Sequence, residues 1–134
     1  MALSAAEWSV AALAVVAACA SERPRVASSA RGFDPGPVPP ELAEGAESFA
    51  AFCSGCHGDM GAGFEGGPPL LHPRYLPEVF PDSSIRRAIL AGSPARHWTF
   101  EAMPPIRALP LDHIPAVIGY LRWVQTRWTA RPAS

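Results

Sequence analysis

The chain has 134 residues and a formal net charge of −1, and 49% of its residues are apolar. This length accommodates one domain with a modest core. All eleven basic residues are Arg and they are scattered along the chain, which excludes a basic surface for nucleic acid. Sixteen Pro and eleven Gly predict short helices separated by irregular loops, so we expect an all-α fold with three to four helices.

The amino-terminal segment predicts an export leader. Residues 10–20 form an unbroken apolar run of eleven residues, too short to cross a membrane. The run contains Val-Ala-Ala-Cys ending at Cys19, which resembles the bacterial lipobox, where cleavage before the Cys is followed by its lipidation. Cleavage before Ser21 and retention of the segment are alternatives. We therefore predict a leader at residues 1–19 and a lipid anchor at Cys19, on the periplasmic side of a bacterial membrane.

A linker is predicted after the leader. Residues 20–40 are rich in Pro, Ser and Gly, and their larger apolar side chains are those of Val26, Phe33 and Val38. These are too few to bury a core, so the segment is expected to tether the domain at residues 41–131 without packing on it.

The first helix of the domain is predicted to begin after Pro40. Apolar residues at helical spacing place one buried face along it, which we expect to consist of Leu42, Ala46, Phe49, Ala50 and Cys53. Residues 58–81, dense in Gly and Pro, predict a loop without a long helix.

Two further helices are predicted beyond that loop. One runs from a cap at Asp82 or Ser83 to Gly92, where a glycine can end it in the left-handed conformation. The last begins near Asp112, with Arg122 and Arg127 expected to point outward. Its predicted buried side consists of Ile114, Val117, Ile118, Leu121 and Val124.

Two thiols separated by two residues and followed directly by a histidine form the most specific motif in the chain. Cys53 and Cys56 are suited to form thioethers with haem vinyl groups, and His57 is suited to bind the iron. A zinc half-site or a thioredoxin-like redox pair are the alternatives, but zinc would need two further ligands and there is no second Cys pair of this spacing. The motif therefore predicts one covalent haem c.

Residues 41–128 resemble the class I cytochromes c. Gly45, Phe49 and Cys53 keep the spacing of the family's first helix, and Val117 and Tyr120 resemble the contribution of its last helix. The resemblance implies that Gly45 lets these two helices cross closely. It also implies a small all-α fold around a single haem.

The resemblance extends to the segment after the haem motif. The sequence Gly-Pro-Pro-Leu at residues 67–70 resembles the family's Gly-Pro-x-Leu, which implies that the Pro68 carbonyl accepts a hydrogen bond from His57 and that Leu70 covers the haem. Such a bond would orient the ligating imidazole.

Met103 is predicted as the sixth iron ligand. It precedes two prolines that keep the backbone extended, and the family's distal Met occurs in the same Met-Pro-Pro setting. Met60 is a rival by residue type, but it lies three residues from His57 and is expected to be a surface-loop residue. Ligation by a second His is the other alternative, with His97 favoured over His72 and His113.

Two tryptophans are assigned separate roles, Trp98 as a haem-pocket residue and Trp128 on the surface. Trp98 lies in the distal loop, where its indole N–H could meet a haem propionate, although core filling or a partner contact fits equally well. Trp128, near the carboxyl end, is expected to belong to a docking surface rather than to touch the cofactor.

Together these features predict electron transfer. Two axial ligands leave no open position on the iron, so we expect a one-electron carrier of relatively positive potential in a respiratory or photosynthetic chain, not an enzyme with a small-molecule substrate. Its partners would be redox proteins, including a membrane oxidoreductase complex. The alternatives are a permanently bound subunit of such a complex, and a peroxidase or gas sensor with a vacant distal site.

Overall fold

The computed structural model describes Ala30 and residues 32–131. Four α-helices follow one another: α1 (Ala43–Phe52), α2 (Ser54–His57), α3 (Asp82–Ala91) and α4 (Ile114–Thr129). Short 3-10 turns at Pro40–Leu42 and Leu111–His113 lead into α1 and α4. Within the described part of the chain, the extended backbone pairs only as isolated bridges, and the predicted all-α fold is confirmed.

Helices α1 and α4 cross at Gly45. A Cβ atom at this position would lie 2.1 Å from the Ala116 carbonyl oxygen and 3.0 Å from the Tyr120 Cβ, so only glycine permits the approach. Next to the crossing, the rings of Phe49 and Tyr120 lie 5.6 Å apart in a tilted arrangement. The close crossing implied by the family resemblance is therefore present.

The buried side of α1 differs in part from the prediction, because only Phe49 of the predicted residues is fully buried. Ala50 is exposed, whereas Gly45, Ser48 and Phe49 are the buried residues of this helix. The Ser48 hydroxyl lies 2.9 Å from Nδ1 of His113, which satisfies both polar groups at the start of α4. Burial thus follows the narrow strip that faces α4, and Ala50 lies outside it.

Helix α3 begins and ends as its sequence predicts, but without the expected cap. Pro81 is the N-cap residue, and neither Asp82 nor Ser83 supplies a capping hydrogen bond. At the other end, Gly92 has φ of 80°, a conformation that glycine adopts without steric cost.

The predicted outward orientation of the two arginines on α4 is correct for one of them. Arg127 is exposed, and its guanidinium lies over the Trp123 ring at 5.4 Å. Arg122 is covered instead, with 15% of its side chain exposed, because residues 75–82 fold over this side of α4 and offer it hydrogen-bond acceptors.

The end of the predicted linker packs on the domain. Ala30 is 4% exposed and Phe33 lies against the core, so the prediction of an unpacked segment is wrong for these residues. The Arg131 guanidinium contacts the rings of Phe33 and Trp128 at 5.3 and 5.6 Å. Trp128 is 8% exposed, which corrects its assignment to a docking surface.

Several predictions concern residues that the structure does not describe. The leader at residues 1–19, the anchor at Cys19 and residues 20–29 of the linker lie outside the described part. Among the helices of Ala30 and residues 32–131, none is long and apolar enough to cross a membrane.

Candidate cofactor site

The Cys-x-x-Cys-His motif lies at the junction of α1 and α2. Cys53 ends α1, where its N–H donates to the Phe49 carbonyl at 2.9 Å, and it is half-buried, whereas Cys56 is exposed. Burial, and secondarily the nearby Cys56, raises the pKa of the Cys53 thiol to about 11. The two thiols therefore differ: Cys53 lines an interior cleft, whereas Cys56 is exposed and does not line it.

His57 is held in one orientation by a backbone carbonyl. Its Nδ1 lies 2.9 Å from the Pro68 oxygen, and a carbonyl can only accept, so Nδ1 carries the hydrogen. Burial lowers the pKa of His57, and the bond to Pro68 opposes this in part. A neutral imidazole with its proton on Nδ1 keeps the lone pair on Nε2, which is the form that binds a metal.

A mostly apolar cleft brings residues from distant parts of the chain together. Its wall includes Cys53 and His57 from the motif and Met103 from the far loop. Pro68 and Leu70, both predicted as pocket residues, also line it. Further lining residues come from α1, α3 and α4, namely Phe49, Ile85, Ala88, Ile89, Val117 and Leu121.

Met103 is anchored through its backbone. Its N–H donates to the Ser93 carbonyl at 2.8 Å, and its carbonyl accepts from the Ser93 N–H at 2.9 Å. A Cβ at Gly92 would lie 2.6 Å from the Met103 oxygen, so this glycine both ends α3 and admits the returning chain. Residues 94–102 thereby form a closed distal loop between the two bridged positions.

The rival ligands have different surroundings. His97 lines the cleft together with Met103, and it is half-buried rather than solvent-facing. His72 and His113 are not among the lining residues; the former contacts Trp98 and the latter Ser48. Met60 does not line the cleft either, but it packs partly against the core and is not the surface residue that was expected.

Trp98 lies in the distal loop as predicted, but not in the wall of the cleft as a haem-pocket residue would. Its indole stacks on the Tyr75 ring at 6.4 Å with an edge contact to His72 at 5.2 Å. The lining residues of the distal loop include two charged residues, Arg96 and Glu101.

One wall of the cleft, and the two α4 side chains that bind its backbone, were not predicted from the sequence. Tyr75 and Phe80 line the cleft from the Pro-rich loop, and Arg122 and Gln125 bind the backbone of that loop from α4. A signal for Gln125 exists, because it falls four residues after Leu121 on the apolar stripe of α4, where a polar residue needs buried partners.

These residues fit a covalently attached haem. The Cys pair has the spacing for two thioethers, His57 presents a neutral ring with one nitrogen engaged, and the apolar walls suit a flat macrocycle. Among the described residues, no group of three or more His, Cys, Asp or Glu could hold a metal ion by itself. A small helical domain with this motif and cleft is a class I-like cytochrome c domain.

The family comparison agrees with this class. The family described as cytochrome C oxidase, cbb3-type, subunit III matches residues 40–121, and the chain belongs to this family. The resemblance to class I cytochromes c is thereby confirmed, and haem-dependent electron transfer is the activity it indicates. No curated protein and no solved structure gave a significant match.

Proposed function

We propose that this protein is a one-electron carrier that holds a single haem c between His57 and Met103, with Cys53 and Cys56 as the attachment residues. One observation carries the proposal: Cys53, His57 and Met103 line the same cleft although Met103 is far from the motif in sequence. Haem c, when bound, supplies reversible exchange between Fe(III) and Fe(II).

The proximal residues prepare the nitrogen ligand. The Pro68 carbonyl holds the proton of His57 on Nδ1 and thereby fixes the ring and raises the basicity of Nε2. Because the imidazole is buried and neutral, it binds iron without first having to lose a proton.

The distal residues favour the reduced state. The thioether of Met103 is a soft ligand that stabilises Fe(II), and its backbone bridge to Ser93 keeps it in the cleft. Leu70 and the other apolar lining residues exclude water, which disfavours the extra positive charge of Fe(III). A relatively positive reduction potential follows. Arg96, rather than Trp98, has the charge to partner a haem propionate.

The family match favours one setting over a freely diffusing carrier. Its description names a subunit of an oxidase, so we propose that the domain works within or beside a membrane oxidoreductase complex, on the periplasmic side. The lipid anchor at Cys19 belongs to the same proposal. The subunit role is tested by solubilising membranes in mild detergent and purifying the tagged full chain. Oxidase subunits that co-purify in a fixed ratio support this role, and a chain recovered alone contradicts it.

A pair of variants tests the ligand assignment. Met103→Leu should keep the haem attached, abolish the Met–iron charge-transfer band in the far red and lower the reduction potential. His97→Ala is the matched control in the same loop, and it should retain both the band and the potential. If His97→Ala loses the sixth ligand while Met103→Leu keeps it, the assignment of Met103 is wrong.

A further inference from the structure

Two polar side chains of α4 hold the backbone of the loop at residues 70–81. Arg122 donates through Nη1 to the Tyr75 carbonyl at 2.8 Å and through Nη2 to the Phe80 carbonyl at 2.5 Å. Gln125 donates through Nε2 to the carbonyls of Leu70 and Tyr75 at 2.9 and 3.0 Å. We call Arg122 and Gln125 the carbonyl clamp.

The two side chains of the clamp are held in place by hydrogen bonds to each other and to Asp82. Nη1 of Arg122 also donates to Oε1 of Gln125 at 2.7 Å, and Nε donates to the Asp82 carboxylate at 2.7 Å. Gln125 is 1% exposed, and its amide oxygen and amide nitrogen both have partners. A buried, fully bonded polar network of this kind specifies one geometry, since any displacement leaves a polar group unpaired.

Every carbonyl that the clamp holds belongs to a residue whose side chain lines the cleft. These residues are Leu70, Tyr75 and Phe80. The backbone bonds that the loop makes with itself between His72 and Phe80 join residues four apart or fewer, so they shape local turns without attaching the loop to the domain. The N–H groups of Leu70 and Leu71 donate to the Gly61 carbonyl at 2.7 and 3.1 Å, so the start of the wall has a second attachment. The clamp therefore sets chiefly the position of Tyr75 and Phe80 relative to α4.

The clamped wall also contacts the distal loop. The Tyr75 ring stacks on Trp98 and meets the ring of His97 edge-on, with both centroid distances at 6.4 Å. Trp98 has φ of 57°, an unfavourable backbone conformation for a tryptophan that the surrounding contacts must maintain. Contacts thus run from α4 through Tyr75 to the loop that ends at Met103.

We propose that Arg122 and Gln125 are positioning residues for the distal side of the haem: by fixing the wall formed by Leu70, Tyr75 and Phe80, they exclude external ligands and keep Met103 on the iron. This inference rests on the proposed function, because it takes Met103 as the sixth ligand. It extends that function to residues on the far side of α4 that do not line the cleft themselves.

The test uses the purified holoprotein and imidazole as a probe ligand for ferric iron. Arg122→Met and Gln125→Leu keep side-chain length and helix propensity but remove the donors. Each should bind imidazole about tenfold more tightly than wild type, the equivalent of one lost hydrogen bond in the closed state. The Met–iron band should weaken, and the reduction potential should fall as water enters.

Arg127→Met is the matched control, because it removes an exposed arginine from the same helix. It should leave imidazole affinity, the band and the potential unchanged. If the two clamp variants are folded by circular dichroism and behave like the control, the clamp is structural only and the proposal is overturned.

Arg122→Lys covers the case in which Arg122→Met does not fold. Lysine keeps the charge but lacks the planar fork that serves several acceptors at once, so it should show the same changes in smaller size. A lysine variant identical to wild type would overturn the proposal. A wild-type holoprotein without a Met–iron band would instead show that the ligand assignment fails, which separates the two failures.

Discussion

The crossing of α1 and α4 and the loop wall at residues 70–81 border the same cleft, but different forces hold them. At the crossing, Gly45 lets the two backbones approach, and the rings of Phe49 and Tyr120 fill the adjoining space. The wall is attached through hydrogen bonds from Arg122 and Gln125 to its carbonyls. Added volume should therefore disrupt the crossing, whereas loss of a hydrogen-bond donor should loosen the wall, so the wall is the side on which removing a donor changes access to the cofactor.

The largest effect should come from adding one methyl group at the crossing. Gly45→Ala would place a Cβ 2.1 Å from the Ala116 oxygen, and because that atom is backbone, the helices must separate. We expect a loss of about 3 kcal/mol in the free energy of unfolding, measured by urea denaturation of the holoprotein.

Gly119→Ala is the control for this change. Its Cβ would meet only a Leu42 methyl at 3.9 Å, an ordinary contact. Replacing a helical glycine there should be neutral or stabilise by up to about 1 kcal/mol. Equal losses in the two variants would contradict the close crossing.

A smaller effect is expected from breaking the wall. Gln125→Leu fills a similar volume but leaves the Leu70 carbonyl and an Arg122 N–H without this partner. Unsatisfied buried groups of this kind cost about 1–3 kcal/mol in the free energy of unfolding, again measured with urea. An unchanged free energy of unfolding in Gln125→Leu would show that these hydrogen bonds do not stabilise the wall.

The ion pair at the edge of the wall should matter less. Asp82→Asn removes the carboxylate that accepts from Arg122 at 2.7 Å, but the Asp82 side chain is 65% exposed and solvent screens the pair. We expect a loss below about 1 kcal/mol that shrinks in high salt. Thermal unfolding at low and high ionic strength provides the measurement, and a salt-independent loss would be evidence against a screened pair.

The smallest effect is expected for the pH dependence of stability that comes from His72, a residue of the loop wall. Burial, together with the charges of Arg74 and His97, lowers the pKa of His72. The unfolded chain therefore binds this proton more readily, and stability falls as pH drops below about 6.5, the unperturbed value. His72→Gln should reduce the loss of melting temperature between pH 7 and pH 5. A variant with the same loss as wild type would exclude His72 as its source.

Much of the framework could be predicted from local patterns. The positions of α1, α3 and α4 follow from apolar spacing and from Pro and Gly at their ends. The close crossing at Gly45 was implied by the resemblance to class I cytochromes c, not by the local pattern. The burial of Arg122 and Trp128 was not predictable. Helical periodicity says which side of α4 faces α1, but it cannot say that other segments cover the remaining sides.

The sequence by itself determined the chemistry of the attachment motif and the helices that carry it, because both depend on residues close together in the chain. The family resemblance already implied that Pro68 meets His57 and that Met103 lies opposite, and the structure brings these residues together. Only the tertiary structure decided that His97 shares the cleft and that the clamp lies behind Tyr75. The physical reason is that loop positions depend on hydrogen bonds and ring contacts between segments far apart in sequence, which no local preference encodes.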